Sequence, residues 1–163
     1  MIKANKMRRL RIIVLVVALF VGCEKKEVEV NPLDFVLKDL QGNEYTLSKL
    51  KGKVVIIDFW ATWCRPCQQT IPIFNALYDK YKANGVLILG IGLDKEESIR
   101  RFTEYNKIDY PVLIGSQEIA KNYGISAIPH TFIIDKHGKV ASHHIGFLPN
   151  LKTLLEKEIE SLI

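Results

Sequence analysis

The sequence has few cysteines, and no second cysteine pair accompanies Cys64 and Cys67. A structural zinc site needs four ligands, which usually come from two cysteine pairs or from one pair and two histidines at ligand spacing. His143 and His144 are adjacent, so on a strand they would point to opposite faces. The sequence therefore argues against a metal centre, and we expect neither a metal nor another bound cofactor.

The sequence also lacks an apolar run long enough to cross a membrane comfortably as a helix. Such a helix needs about 20 apolar residues, whereas Ile12–Val21 contains ten. No acidic residue precedes Cys23, and five basic residues lie before the apolar run. A basic start, a short apolar stretch and a small residue before the cut are typical of a secretory signal peptide. We predict that residues 1–22 are such a signal peptide.

Cys23 follows the apolar run directly, and the segment Phe20–Cys23 resembles a bacterial lipobox, although Phe20 stands where leucine is usual. In such lipoproteins the cysteine becomes the first residue and carries the lipid. We predict that Cys23 is lipidated, that the polar residues 23–31 form a tether, and that residues 32–163 form the folded domain. The lipid would hold this domain on the outer side of a bacterial membrane. The alternative is an ordinary thiol beside a conventional cleavage site.

An excess of positive charge is absent from the predicted mature protein. The whole chain carries a formal charge of +5, from 23 basic and 18 acidic residues. Five of the basic residues lie before Cys23, so the remainder has 18 of each and no net formal charge. It shows no basic stripe with interleaved aromatic residues, so we expect no nucleic-acid partner. The chain length of 163 residues and the lack of repeats predict one domain, which we expect to be monomeric.

Apolar periodicity predicts strands that alternate with helices. Val54–Trp60 and Val86–Leu93 are near-continuous apolar runs, typical of strands buried on both faces. Alternation implies a parallel core, and a late hairpin adds antiparallel strands at one edge. The predicted fold class is therefore α/β, a central mixed β-sheet flanked by helices, with an extra N-terminal β-hairpin. The expected elements are hairpins over 34–47 and 131–145, strands over 54–60, 86–93 and 110–113, and helices over 64–82, 95–106, 117–123 and 151–162.

Cys64 and Cys67 lie where a predicted buried strand gives way to a helix, which is the context that a C-x-x-C redox motif requires. The unpaired N–H groups and the dipole at a helix N-terminus favour a thiolate at Cys64, and Arg65 adds a positive charge beside it. Cys67 lies on the same helical face and deeper, where it can attack a mixed disulfide formed at Cys64 and release the substrate. A disulfide across so short a loop stabilises a fold little, so the pair suits switching.

Asp58 interrupts the first apolar strand six residues before Cys64. Burial of an unpaired carboxylate is unfavourable, so we expect its pKa to be raised. This property suits a proton acceptor for Cys67 during exchange, whereas the alternative is a structural aspartate on a solvated side of the strand. Trp60 is expected in the core, and Trp63 at the exposed rim of the site.

Ile128 and Pro129 precede the last predicted hairpin. Proline is awkward inside a central strand, so Pro129 is expected at a strand start or in a special turn. Only about 5–6% of X–Pro bonds in folded proteins are cis, so the residues alone leave trans as the default. The four histidines are expected to be surface or structural residues; they are His130, His137, His143 and His144.

Two segments together indicate a family. Phe59–Cys67 resembles the active site of TlpA/ResA-like thioredoxin-fold proteins, which are related to the AhpC/TSA–Redoxin proteins. Gly124–Val140 is similar to the cis-proline loop of these proteins and to the hairpin that follows it. The resemblance extends over residues 32–162.

The resemblance implies a thioredoxin-like fold and a thiol–disulfide oxidoreductase. Cys64 would then be the attacking thiol and Cys67 the resolving thiol. Pro129 would be cis and face the disulfide, with the backbone of Ile128 pairing with the substrate chain.

Trp63, Arg65 and Pro66 lie beside Cys64, and we expect them to contact the substrate. The resemblance also implies a partner, since members of this family mostly reduce disulfides of extracytoplasmic proteins with electrons from a membrane protein. We therefore expect protein substrates and a membrane thiol reductase as the donor. The chain departs from the family at Thr70, where glutamate is frequent, and at Asp58, where many members carry asparagine. Asp58 is therefore a candidate for the role of the missing glutamate.

Two other functions are compatible with this fold. A peroxiredoxin has the pattern Pro-x-x-x-Thr-x-x-Cys around its peroxidatic cysteine, but Ile57 and Ala61 stand at the proline and threonine positions before Cys64. The second alternative is a non-catalytic binding module, although the sequence retains both cysteines and Pro129. An insulin-reduction assay beside a peroxide-consumption assay separates the three functions.

Overall fold

The computed structural model describes residues 34–163. The predicted signal peptide at residues 1–22, the lipidation site Cys23, the tether at residues 23–31 and the predicted domain start at residue 32 lie outside the described residues. These four assignments therefore stay predictions. Among the helices of the described part, none is both long and apolar enough to span a bilayer.

Seven strands and four α-helices follow one another along residues 34–163. The strands are β1 (Val36–Lys38), β2 (Glu44–Thr46), β3 (Val54–Trp60), β4 (Val86–Gly92), β5 (Val112–Ile114), β6 (His130–Ile134) and β7 (Val140–Ile145). The helices are α1 (Arg65–Tyr81), α2 (Glu96–Asn106), α3 (Gln117–Asn122) and α4 (Leu151–Leu162). This order confirms the predicted alternation of strands and helices.

Five of the strands form one mixed sheet in the order β5-β4-β3-β6-β7. β4 is parallel to both β3 and β5, whereas β6 is antiparallel to both β3 and β7. The predicted parallel core with an antiparallel hairpin at one edge is therefore confirmed. β1 and β2 form the extra hairpin, which meets the main sheet where Asp39 lies opposite Leu113.

β3 is the central strand, and every one of its side chains is buried. Its alternate residues enter two separate cores. Ile56 and Trp60 belong to the core that α1, α2 and α4 cover. Ile57 and Phe59 belong to the core that α3 and the N-terminal hairpin cover. Both faces of the sheet are thus covered, as the continuous apolar sequence of the parallel strands requires.

The N-terminal hairpin pairs over fewer residues than the predicted range of 34–47, because two aspartates bind the backbone beside its first strand. Oδ1 of Asp34 accepts a hydrogen bond from the N–H of Ser48 at 2.8 Å. Oδ1 of Asp39 accepts from the N–H groups of Gln41 and Asn43 at 2.9 and 2.8 Å. Short polar side chains compete in this way with strand pairing and favour turns. The ladder is therefore confined to three residues of each strand.

α1 begins one residue later than predicted because Cys64 is its N-cap. The backbone of Cys64 is extended, and its sulfur accepts a hydrogen bond from the N–H of Cys67. The helix continues through Pro72 to Tyr81. A short 3₁₀ turn follows and ends at Gly85, whose φ of +79° is readily adopted by glycine.

Candidate active site

The loop between β3 and α1 carries Cys64 to the carboxyl end of the central strand. Two hydrogen bonds of the Thr62 backbone anchor this loop. The Thr62 N–H donates to Oδ2 of Asp94 at 2.5 Å, and its carbonyl oxygen accepts from Nε2 of Gln68 at 3.0 Å. Asp94 follows β4 and Gln68 lies in α1, so the loop is tied to both neighbouring elements. These contacts fix the position of Cys64 relative to the helix.

Cys64 and Cys67 form a disulfide, with an S–S distance of 2.04 Å and Cα atoms 5.3 Å apart. The N–H of Cys67 donates to Sγ of Cys64 at 3.2 Å. The side chains are 4% and 1% exposed, so Cys67 is the deeper of the two, as predicted. The structure thus holds the oxidised form of the pair. After reduction, the N–H groups and dipole of α1 would stabilise a thiolate at Cys64.

The three residues beside Cys64 that we expected at the substrate surface are all exposed. Trp63 is 72% exposed, which confirms its predicted place at the rim, whereas Trp60 is buried as predicted. Arg65 and Pro66 occupy the first turn of α1 and face solvent. The redox pair is therefore covered by protein on its inner side and bordered by an aromatic and a basic residue on its outer side.

Pro129 lies beside the disulfide. The Ile128–Pro129 peptide bond is cis, as the family resemblance implied and as the residues alone did not. The carbonyl oxygen of Ile128 lies 3.7 Å from Sγ of Cys64. The carbonyl oxygen of Pro129 accepts a hydrogen bond from the N–H of Gly146 at 2.7 Å, which ties the loop to the end of β7. The two segments recognised in the sequence thus meet at the sulfur of Cys64.

Asp58 is buried in the middle of β3, at 1% exposure, so the alternative of a solvated aspartate is wrong. Its Oδ1 accepts a hydrogen bond from the hydroxyl of Thr131, across the strand pair, at 3.0 Å. Burial raises the pKa of Asp58 to about 8, and the bond from Thr131 opposes the shift only in part. Near neutral pH this group can therefore both hold and release a proton.

Thr70 stands where the family resemblance leads one to expect a glutamate. It is buried, and its hydroxyl donates to the carbonyl oxygen of Cys67 at 2.8 Å. The bond stays within α1, so Thr70 is satisfied locally and brings no charge to the redox pair.

Three of the four histidines have a polar side chain as neighbour, whereas His137 lies exposed in the turn between β6 and β7. Nε2 of His130 lies 3.2 Å from Nδ1 of His143, and the His130 ring stacks on Phe132. Burial lowers the pKa of His130, and the neighbouring His143 acts in the same direction. His144 points to the other face, where its Nε2 lies 2.9 Å from Oε2 of Glu158. In the described part of the chain, no three His, Cys, Asp or Glu side chains converge as metal ligands would.

Sequence reasoning missed Asp94 and Gln68, which hold the redox loop. Asp94 follows the end of β4, and polar residues after the strands of a parallel sheet often lie at the functional edge. That position was the available signal, although it does not identify the partner of the carboxylate. Gln68 carried no signal, because an exposed glutamine on a helix is ordinary.

A model described as the AhpC/TSA family matches residues 29–143, which is more than half of the chain. The chain belongs to the AhpC/TSA family. The relatives of this chain include proteins called thiol-disulfide oxidoreductase ResA. The protein from Bacillus thuringiensis (strain Al Hakam) is 39% identical over 129 residues, covering 78% of this chain and 75% of the relative. The protein from Geobacillus kaustophilus (strain HTA426) is 39% identical over 131 residues, covering 79% and 74%.

Solved structures of similar proteins share the fold of this chain. A Chlorobium tepidum protein whose proposed name is thiol:disulfide interchange protein DsbE has a TM-score of 0.77 and 34% identity, covering 82% of this chain and 96% of that one. StoA from Bacillus subtilis has a TM-score of 0.65 and 27% identity, covering 76% and 97%. With the Cys64–Cys67 pair, these similarities show a thioredoxin-like thiol–disulfide oxidoreductase.

Proposed function

We propose that this AhpC/TSA family member is a lipid-anchored reductase of protein disulfides that works outside the bacterial cytoplasm. One observation carries the proposal of a reductase for proteins. The Cys64–Cys67 disulfide lies at the N-terminus of α1, and the Ile128 carbonyl next to cis-Pro129 lies 3.7 Å from the Cys64 sulfur. A redox sulfur beside a backbone acceptor suits an extended peptide that carries a disulfide.

In the first step of the proposed reaction, the Cys64 thiolate attacks one sulfur of the substrate disulfide. A mixed disulfide forms with Cys64, and one substrate thiolate leaves. Cys67 then gives its thiol proton to the Asp58 carboxylate and attacks the Cys64 sulfur. The Cys64–Cys67 disulfide forms, and the second substrate thiolate leaves, so the substrate has gained two electrons that the protein has lost.

The proposed substrate surface consists of the side chains around the disulfide. Trp63 offers an exposed aromatic face and Arg65 a positive charge, while Pro66 adds an apolar contact. On the other side of the Cys64 sulfur, Ile128 contributes its backbone carbonyl and Pro129 contributes its ring. We propose that a membrane thiol reductase returns two electrons to the oxidised pair, and that the protein acts as a monomer.

The proposed membrane location rests on the N-terminal sequence. The basic start, the apolar run of ten residues and Cys23 support a lipoprotein signal peptide, with residues 23–31 as a polar tether. The lipid on Cys23 would keep the domain close to the membrane that holds its electron donor. An oxidising compartment would supply the disulfides on which it acts.

The proposal is tested by comparing insulin reduction, peroxide consumption and reduction potential in one preparation. We expect insulin reduction that Cys64→Ser abolishes, with little peroxide consumption. Cys67→Ser should accumulate a mixed disulfide with insulin, because the resolving thiol is absent. The potential should lie nearer the ~−270 mV of thioredoxin than the ~−120 mV of a strong periplasmic oxidant. A potential near the oxidising end, or peroxidase activity without insulin reduction, would overturn it.

A further inference from the structure

Asp58 poses a problem of proton access. Its side chain is buried in the centre of β3 and bonds to Thr131. Because its pKa lies near 8, the group is mostly protonated at neutral pH and must lose that proton before it can accept one from Cys67. The protein therefore needs a path from this carboxyl group to water.

Gly90 lies next to Asp58 in the sheet and has no side chain, so an aromatic ring can approach the strand there. The two residues are register partners in β4 and β3, so the Cβ position of Gly90 faces the same side of the sheet as the Asp58 carboxyl. A Cβ atom on Gly90 would lie 2.9 Å from Cε2 of Tyr110 and 3.0 Å from Nε1 of Trp60. The aromatic ring of Tyr110 therefore occupies the space that a side chain at Gly90 would fill. The N–H of Gly90 donates to the carbonyl oxygen of Pro111 at 3.0 Å, so the backbone next to Tyr110 is tied to β4.

Tyr110 also reaches the outside of this core. It is 4% exposed and lines a cavity of about 230 Å³ at the β5 edge of the sheet, together with Tyr78, Thr103 and Asp109. A cavity of this size with polar walls has room for several water molecules. The buried hydroxyl of Thr103 has no hydrogen-bond partner among the described residues, so it too favours water in the cavity.

We propose that Tyr110 connects Asp58 with this cavity and sets how fast that acid gives up its proton. The inference rests on the proposed function, in which Asp58 receives the proton of Cys67. Tyr110 acts only through Asp58, so it is a positioning residue for the proton and not a catalytic residue.

The proton transfer balances without any other reactant. The hydrogen bond that Thr131 donates gives the Asp58 carboxyl no proton path of its own. The Asp58 proton therefore passes through a water molecule to the phenol oxygen of Tyr110, while the phenol proton passes to water in the cavity. The products are a carboxylate, an unchanged phenol and a hydrated proton that buffer removes. Burial and the nearby charge of Asp58 raise the pKa of Tyr110 well above its ordinary value, so the phenol stays protonated between transfers.

Asp39, Tyr78 and Asp109 are the other titratable residues on the cavity wall, but the side-chain atoms nearest to a Cβ at Gly90 belong to Tyr110 and Trp60. Two further titratable groups on this side of the sheet have partners away from the cavity. Thr131 lies opposite His144 in β7, and His144 bonds to Glu158 of α4 at 2.9 Å. Farther along α1, the Tyr81 hydroxyl donates to Glu160 at 2.6 Å. α2 contributes apolar side chains such as Ile99 to this core. Among the described residues, Tyr110 is thus the titratable residue that both packs against Gly90 and lines the cavity.

The test measures release of a mixed disulfide by Cys67 in stopped-flow experiments between about pH 6 and pH 10. Tyr110→Phe keeps the ring and removes the hydroxyl. We expect it to slow release about tenfold near pH 7, less than the roughly hundredfold or larger effect of losing a group that transfers the proton itself. The effect should vanish above about pH 9, where Asp58 is already ionised. Attack by Cys64 should be unchanged throughout.

A double-mutant cycle distinguishes this inference from the proposed function. Tyr110→Phe should add nothing in an Asp58→Asn background, because both changes act on one proton. If Asp58→Asn slows release but Tyr110→Phe does not, only the inference about Tyr110 is overturned. If Asp58→Asn leaves release unchanged, the role of Asp58 in the proposed function fails and this inference fails with it. If Tyr110→Phe still slowed release at high pH or in the Asp58→Asn background, Tyr110 would act through packing alone. That result would also overturn the inference about Tyr110.

Two further variants complete the design. Tyr78→Phe removes a different hydroxyl from the cavity wall and should leave the release rate as in wild type. Thr103→Leu keeps Tyr110 but puts an apolar side chain into the cavity, so it should reproduce the pH-dependent slowing even if Tyr110→Phe does not fold. Wild-type release in folded Thr103→Leu protein would overturn the route through the cavity.

Discussion

The hydroxyl of Thr131 donates a hydrogen bond of 3.0 Å to Oδ1 of Asp58 inside the sheet. The two residues are cross-strand partners in β6 and β3, and both are buried. Thr131 follows Pro129 by two residues, so the strand that positions the cis-proline loop also holds the buried acid. A single neutral donor cannot offset the loss of water around a carboxylate, which is why burial dominates the pKa of Asp58.

Thr131→Val is expected to raise the pKa of Asp58 above about 8, because the lost hydrogen bond is the interaction that opposes the effect of burial. The ¹³C chemical shift of the Asp58 carboxyl carbon, followed through a pH titration, measures this directly. The free energy of unfolding should fall by about 1 kcal/mol, since a buried acid loses its donor. Thr153→Val is the matched control, because this threonine is exposed on α4, away from Asp58. An unchanged or lowered pKa in Thr131→Val would contradict the prediction.

Asp58→Asn is expected to make the protein more stable at neutral pH. In the unfolded chain the carboxyl ionises near its ordinary pKa of 3.8, whereas in the folded protein the pKa is about 8. Between these values the unfolded state binds fewer protons than the folded state, so the stability of the wild type falls as pH rises. The contribution is about 1.4 kcal/mol per pH unit, and it levels off above about pH 8.

Denaturant melts of the wild type and of Asp58→Asn at about pH 5, 6, 7 and 8 measure this dependence. The difference between the two proteins should grow in favour of the variant with each step. Asp79→Asn serves as the control, because that carboxylate is exposed and its pKa is lowered, so it is ionised in both states throughout this range. Parallel pH profiles for the wild type and Asp58→Asn would show that the charge of Asp58 is not suppressed by burial.

The sequence allowed the central strand and the redox pair to be predicted, and the reason is local. Val54–Trp60 is a run of apolar residues whose burial needs no knowledge of its neighbours, and Asp58 is conspicuous because it interrupts that run. The cis bond at Pro129 required the family resemblance, since a sequence-local preference leaves trans favoured. The position of Tyr110 could not be predicted, because it depends on a side chain missing at Gly90 in another strand.

Cys23→Ala is expected to abolish lipid attachment, because no other cysteine directly follows the predicted signal peptide. Metabolic labelling with a fatty-acid analogue should mark the wild-type protein and leave the variant unmarked. Cys67→Ala is the matched control: it also removes one cysteine, but it should leave the label in place. Equal labelling of Cys23→Ala and the wild type, or an unlabelled wild type, would show that the lipobox resemblance misled us.

Asp94→Ala is expected to loosen the loop that carries Cys64. The Thr62 N–H would lose its charged acceptor, while Gln68 would still hold the Thr62 carbonyl. Because this bond is only part-buried, we expect a loss of about 1 to 2 kcal/mol in the free energy of unfolding. Displacement of the Cys64 sulfur from the end of α1 should also slow its attack on substrate, by up to about tenfold.

Stopped-flow attack kinetics and denaturant melts on the same samples test the role of Asp94. Glu97→Ala is the control, because this glutamate is exposed and pairs on the surface with Arg101 at 3.2 Å, a contact that contributes little to stability. Gln68→Ala removes the hydrogen bond to the Thr62 carbonyl oxygen. It should have a smaller effect than Asp94→Ala, since the donor and the acceptor of that bond are both neutral. If Asp94→Ala lowered stability but left the attack rate unchanged, the carboxylate would support the fold without positioning Cys64. Because Asp94 follows β4 and Cys64 follows β3, a slower attack would mean that the parallel pairing of these two strands helps to position the reactive sulfur.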